Sequence, residues 1–146
     1  MSRAALLYAL VALVGWGSAP LFDKLALGSL SAGAAVVLRT VFAGLMLVGY
    51  GASAGWLGEI ASAKAVPVLL LAVGTLLSPV IGNFAYMKAL KEAEASQVTP
   101  VTASYHLVAV ALAIIFLGER LTSPKVLGAV LIAVGVVLVS GVGRTG

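Results

Sequence analysis

Residues 90–139 read LKEAEASQVTPVTASYHLVAVALAIIFLGERLTSPKVLGAVLIAVGVVLV. A charged lead gives way near Gln97 to a long apolar run, which stops at Gly118-Glu119-Arg120-Leu121-Thr122. A second apolar run follows, with glycines at Gly128 and Gly135. Two apolar stretches of near-membrane length joined by a tight polar turn read as a transmembrane helical hairpin.

The rest of the chain repeats this alphabet. Of its 146 residues, 62% are hydrophobic and only 10% charged, and the mean hydropathy is +1.16. A soluble domain covers its surface with roughly 25% charged residues, so this composition excludes one and implies an all-α integral membrane protein. The net charge of +4 comes from basic residues spread along the chain. Such spacing fits charges that flank membrane spans and not a nucleic-acid surface. The absence of cysteine removes disulfides, thiolate nucleophiles and cysteine-ligated metals.

Five runs are long enough to span, at about 4–22, 31–51, 66–87, 96–117 and 124–142, each close to the roughly 20 residues that cross a bilayer. They are continuously apolar, which suits helices and excludes the alternating strands of a barrel. Together they form one five-helix domain over 1–146. The joints carry the expected punctuation. Gly28-Ser29-Leu30-Ser31 separates the first two runs, Trp56 lies in the long 51–65 connection, and Lys88, Lys91, Glu92 and Glu94 mark a charged joint. Gly118 suits a left-handed helix end, and Thr122-Ser123-Pro124 an N-cap with proline in the first turn. Pro20, Pro79 and Pro100 predict local kinks. Residues 1–19 also have the layout of a secretory leader, but Pro20 directly follows the candidate cleavage site.

Polar residues inside these runs are the candidates for function. Arg39 lies about 12 Å into the second run at 1.5 Å per residue, where a charge costs about 2.5–3.5 kcal/mol on insertion scales. It is either a fixed positive charge beside a substrate path or a snorkelling side chain satisfied by nearby carbonyls. His106 lies about 15 Å into the fourth run, as a titratable or anion-binding group or as a neutral imidazole bonded within the bundle. Thr99, Thr102 and His106 draw a polar stripe at helical spacing. Pro79, Asn83 and Tyr86 draw another, and Trp16 shares a face with Pro20 and Asp23. Such stripes turn inward, as lining of a cavity or as glue between helices. Gly128 and Gly135 lie on one face of the last run, suited to close packing within the protomer or across a dimer. No Asp or Glu falls in the middle of a run, and no HExxH, Gly-x-Ser-x-Gly or Walker loop occurs. The sequence therefore predicts no enzyme and no cofactor.

The ordered set Trp16-Gly17-Ser18, Lys24, Arg39, Ala89-Leu90, Ala95-Ser96, Pro100, Leu117-Gly118-Glu119-Arg120-Leu121-Thr122, Gly128, Ile132 and Gly135-Val136 resembles an EamA domain, the repeat unit of the drug/metabolite transporter superfamily. The resemblance covers nearly the whole chain. It implies a multi-pass protein of the cell membrane (the inner membrane in a prokaryote) that moves small solutes such as amino acids or drug-like compounds. Its substrate would meet Arg39 and His106, with Trp16, Thr102, Tyr105, Asn83 and Tyr86 lining the path. Full-length members carry two inverted five-helix repeats around a central cavity, and this sequence carries one. An antiparallel homodimer would rebuild the pair. A half-transporter with a different partner chain and a non-transporting assembly or regulatory protein are the alternatives. The related small multidrug exporters use a membrane-embedded glutamate for proton coupling, which has no equivalent here. With five spans, Arg3, Lys64, Arg120 and Lys125 fall on one side of the membrane and Lys24, Lys88, Lys91 and Arg144 on the other. That even split sets almost no orientation under the positive-inside rule.

Overall fold

A computed structural model of the protein describes residues 3–140. Among the described residues all regular structure is helical. The chain divides into two compact units, Met1–Glu92 and Ala93–Gly146.

In the first unit, α1 (Arg3–Ala26) runs past its expected end and carries Asp23 and Lys24 in its last turn. Charged side chains near a helix end can lean out to the membrane surface, so the backbone stays helical beneath them. After the turn at 27–31, α2 (Ala32–Ser53) starts at Ser31, whose hydroxyl accepts from the Ala34 N–H at 3.2 Å. The chain then bends at Gly55, with φ +79, a backbone region open chiefly to glycine. The short α3 (Trp56–Ala61) follows. Trp56 returns edge-on to Tyr50, with ring centroids 5.2 Å apart, and covers the buried Gly51.

One continuous helix of 28 residues, Ala65–Glu92, fills the rest of this unit. It comprises α4 (Ala65–Thr75), a π-helical stretch (Leu76–Gly82) and α5 (Asn83–Glu92). The π stretch contains Pro79. Proline supplies no N–H and crowds the carbonyl four residues back, and a widened turn relieves both. The Asn83 N–H accordingly donates to the Ser78 carbonyl, five residues back. The charged segment Lys88–Glu92, expected as a joint, is instead the helix end. Its Lys, Ala, Leu and Glu are strong helix formers, and nothing interrupts them before Ala93.

The packed core of this unit lies at one end, where the end of α1 and the start of α2 meet α5. Leu27, Ala32 and Ala35 are buried there, with Met87 and Leu90 exposed by only 1% and 0%. Met87→Ala and Leu90→Ala are each expected to cost about 2–5 kcal/mol through lost contacts and the cavity left behind. Thermal melts in mild detergent should register this as a clear fall, whereas Leu13→Ala, at a site 65% exposed, should change the melt little.

In the second unit, α6 (Ala95–Ala103) and α7 (Tyr105–Leu117) form one apolar length of 23 residues, interrupted by a turn at Ser104. Gly118, at φ +67, turns the chain so that the Glu119 N–H meets the Ala113 carbonyl at 3.4 Å. Helix α8 (Ser123–Ser140) begins with Pro124 in its first turn, and the Val126 N–H donates to the Thr122 carbonyl at 3.1 Å. It packs on α6. Four helices among the described residues are long and apolar enough to cross a membrane, and α8 is a shorter apolar helix. The expected end of the fifth run at 142, and Arg144, lie outside the described residues.

Candidate functional site

Asp23, Lys24, Arg39 and Lys91 gather at the packed end of the first unit. Arg39 is the eighth residue of α2, and its Nη1 donates to Asp23 Oδ2 at 2.7 Å. Helical side chains lean toward their own N-terminus, so the guanidinium reaches back toward the turn and meets the last turn of α1. The pair is unevenly covered, with Asp23 at 13% side-chain exposure and Arg39 at 39%. The guanidinium carries five N–H donors, and the bond to Asp23 leaves others to face a second group.

Two lysines fasten the same end. Lys24 Nζ on α1 donates to the Leu90 carbonyl on α5. Lys91 Nζ on α5 donates to the Leu30 carbonyl in the turn after α1, at 2.8 Å. Both acceptors lie at or just past a helix C-terminus, where carbonyls lack intrahelical partners and carry the negative end of the dipole. Three helices are thus joined by one ion pair and two lysine–carbonyl bonds around Met87 and Leu90.

Of the site residues expected in this unit, Arg39 belongs to that cluster. Asn83 and Tyr86 lie half-covered on α5, in line with half-covered Pro79. Trp16 is 67% exposed, although Pro20 and Asp23 on its face are covered. Sequence reading placed Asp23 near a helix end without matching it to Arg39. Asp23 lies six residues before Ser29 and Arg39 ten after it. Folded about that turn, the two are offset by four residues, about 6 Å, which one arginine side chain spans. That mirrored spacing was the available signal.

The second unit holds the rest. The Thr102 hydroxyl donates to the carbonyls of Val98 and Thr99, at 2.9 and 3.0 Å. This back-bonding is how a membrane helix satisfies a hydroxyl and loosens at the same point. The turn at Ser104 lies two residues further on. The Thr99 Oγ1 is shielded and has no hydrogen-bond partner. Tyr105 and His106 are exposed neighbours with ring centroids 4.2 Å apart, edge to face. A shallow groove of about 360 Å³ is lined by Ala109, Val110, Ala113, Glu119 and Lys125, with the Lys125–Glu119 ion pair of 3.1 Å on its rim. None of the expected site residues lines it. Among the described residues no group of three His, Asp or Glu side chains comes together to hold a metal.

Comparison with known proteins places these helices. The model of the EamA-like transporter family matches residues 3–141. An uncharacterized protein of Methanocaldococcus jannaschii is 38% identical over 73 residues, which make up 50% of this chain and 53% of that protein. The match therefore spans about half the length of the relative. No solved structure matches the chain. This chain, whose described residues form several membrane-length apolar helices and which the family model matches almost end to end, belongs to the EamA-like transporter family.

Proposed function

We propose that this chain is one half of a small-solute transporter that works by alternating access and is completed by a second copy inserted the other way up. The family match over residues 3–141 carries the transport reading. Inverted repeats place a substrate site near the membrane midplane, at the interface between repeats. A chain with a single repeat reaches that arrangement by pairing with itself. The reading includes α8 as a fifth span and Arg39 as a fixed positive charge beside the path. Within the first unit Trp16, Asn83 and Tyr86, and within the second Thr102, Tyr105 and His106, are the further residues proposed to meet the solute.

The test is uptake in proteoliposomes loaded with protein expressed alone. The candidate solutes are those that a thermal-shift screen of amino acids, nucleosides and drug-like compounds picks out, since a ligand of the folded state raises its apparent stability. Saturable uptake by a species that extracts as a dimer supports the proposal. Transport by a stable monomer, or none for any solute that binds, overturns it.

The glycine face of α8 gives a second test. Gly128, Ala129, Gly135 and Val136 are half-covered, while the other described residues of α8 are exposed. A Cβ placed on Gly128 or Gly135 meets nothing within 4 Å. Alanine at either position therefore fits the protomer, and leucine is expected to leave insertion intact. If a second copy packs there, close helix approach requires the small residues. Gly128→Leu and Gly135→Leu are then expected to lose the dimer in size-exclusion chromatography while the monomer stays monodisperse. Two variants that remain wild-type-like dimers would place the pairing surface elsewhere.

A further inference from the structure

One flank of the Ala65–Glu92 helix, bordering α2 where the Phe84 ring lies against Gly33, changes character along its length. Phe84, 42% exposed, is followed on the same face of α5 by the exposed Lys88 and Lys91, because steps of three and four residues keep helical side chains in line, and Ile81, 55% exposed, precedes it at the end of the π stretch. Lys88 Nζ stands 5.0 Å from the centroid of the Phe84 ring. Lys91 Nζ spends one donor on the Leu30 carbonyl, and an ammonium has three. The carboxylate on the inner side, Asp23, is already held by Arg39. We propose that this face binds an anionic phospholipid, with its phosphate on Lys88 and Lys91 and an acyl chain along Phe84 and Ile81.

The proposal rests on the helices spanning a membrane and is independent of whether the chain transports a solute. Lysines near a helix end extend to the headgroup level, where lipid phosphates lie. A free phosphate would meet the same ammonium groups but would leave Ile81 and Phe84 uncovered. The apolar half of the face therefore assigns a lipid. Glu92, the next residue after Lys91, is exposed and opposes the anion.

The experiment uses the full chain reconstituted in equal parts phosphatidylcholine and phosphatidylglycerol, re-extracted, with bound lipid quantified by mass spectrometry. The wild type is expected to retain phosphatidylglycerol in preference, roughly thirtyfold for two lysines near the surface. Lys88→Gln with Lys91→Gln should bring this close to parity, and Glu92→Gln should raise it. Lys64→Gln with Arg120→Gln removes as much charge elsewhere and should leave the preference intact. Because Lys91 also bonds to Leu30, Lys88→Gln alone is the variant that spares the fold, with a roughly fivefold loss. Excess soluble glycerol phosphate should not displace the lipid. Equal retention of the two lipids by the wild type, an unchanged preference in Lys88→Gln, equal loss in the Lys64 and Arg120 variant, or displacement by glycerol phosphate would each overturn the proposal.

Discussion

Arg39→Ala is expected to abolish transport, by about a hundredfold or more, while the protein still inserts in the membrane. Two effects are mixed in that loss, and the Asp23 pair separates them. Removing Arg39 strands a carboxylate that is only 13% exposed. An unpaired charge in a fully buried site costs about 3–5 kcal/mol. The partial exposure of Arg39 lowers the expected cost here to about 1–3 kcal/mol. Asp23→Asn removes the charge but keeps an acceptor, so it should destabilise less. The exchanged pair, Arg39→Asp with Asp23→Arg, should recover much of the thermal stability lost in Arg39→Ala. It moves the positive charge to α1, however, and is expected to stay inactive if α2 must present that charge to the substrate. Melting curves in detergent and uptake in proteoliposomes read the two effects independently. Wild-type uptake by Arg39→Ala would remove Arg39 from the path. Wild-type uptake by the exchanged pair would reduce it to a clasp between α1 and α2.

The helices were legible because the bilayer imposes a length and forbids unpaired backbone, so apolar runs of about 20 residues can do little else. Their ends were less legible. Lys88 and Lys91 read as a joint, and Asp23 and Lys24 fall beyond the expected first run, yet all four are helical, because their long or paired side chains leave the apolar layer while the backbone continues. Gly118 and Thr122-Ser123-Pro124 gave true ends, since left-handed backbone and capping are local properties. Pro79 signalled a distortion but not its kind. Whether proline kinks a helix or is absorbed in a π turn depends on where the neighbouring carbonyls find donors. The Arg39–Asp23 and lysine–carbonyl bonds depend on how helices cross, which no periodicity encodes. The candidate lining residues had the weakest signal. An inward polar stripe serves packing and passage alike, and Thr102 illustrates this, since its hydroxyl is satisfied by its own helix.

A cysteine near each terminus should be labelled only in part when intact cells meet an impermeant thiol reagent. The chain has no cysteine of its own, so Ser2→Cys and Thr145→Cys, made separately, each give one reporter without background. The expectation follows from charge. With α8 taken as the proposed fifth span, Arg3, Lys64, Arg120 and Lys125 oppose Lys24, Lys88, Lys91 and Arg144. Within the first unit, Lys24 bonds to α5 beside Leu90, and Lys91 bonds to the turn after α1. These two lysines therefore count on one side. The N-terminal amine and Arg39 are the two charges outside this count. The amine falls with Arg3 and the guanidinium leans toward the same end as those lysines, so at most one basic charge separates the two sides. Orientation is set by an excess of Lys and Arg in the cytoplasm, and an excess of one is too small to hold a chain to one orientation. Both reporters should then show intermediate labelling, and two or three lysines added to either side should drive one reporter to full labelling and the other to none. The pair of orientations is what an antiparallel dimer needs to rebuild an inverted repeat. Full labelling of one terminus and none of the other in the unmodified background would mean that span hydrophobicity or the insertion machinery sets the orientation, and it would rule out that dimer.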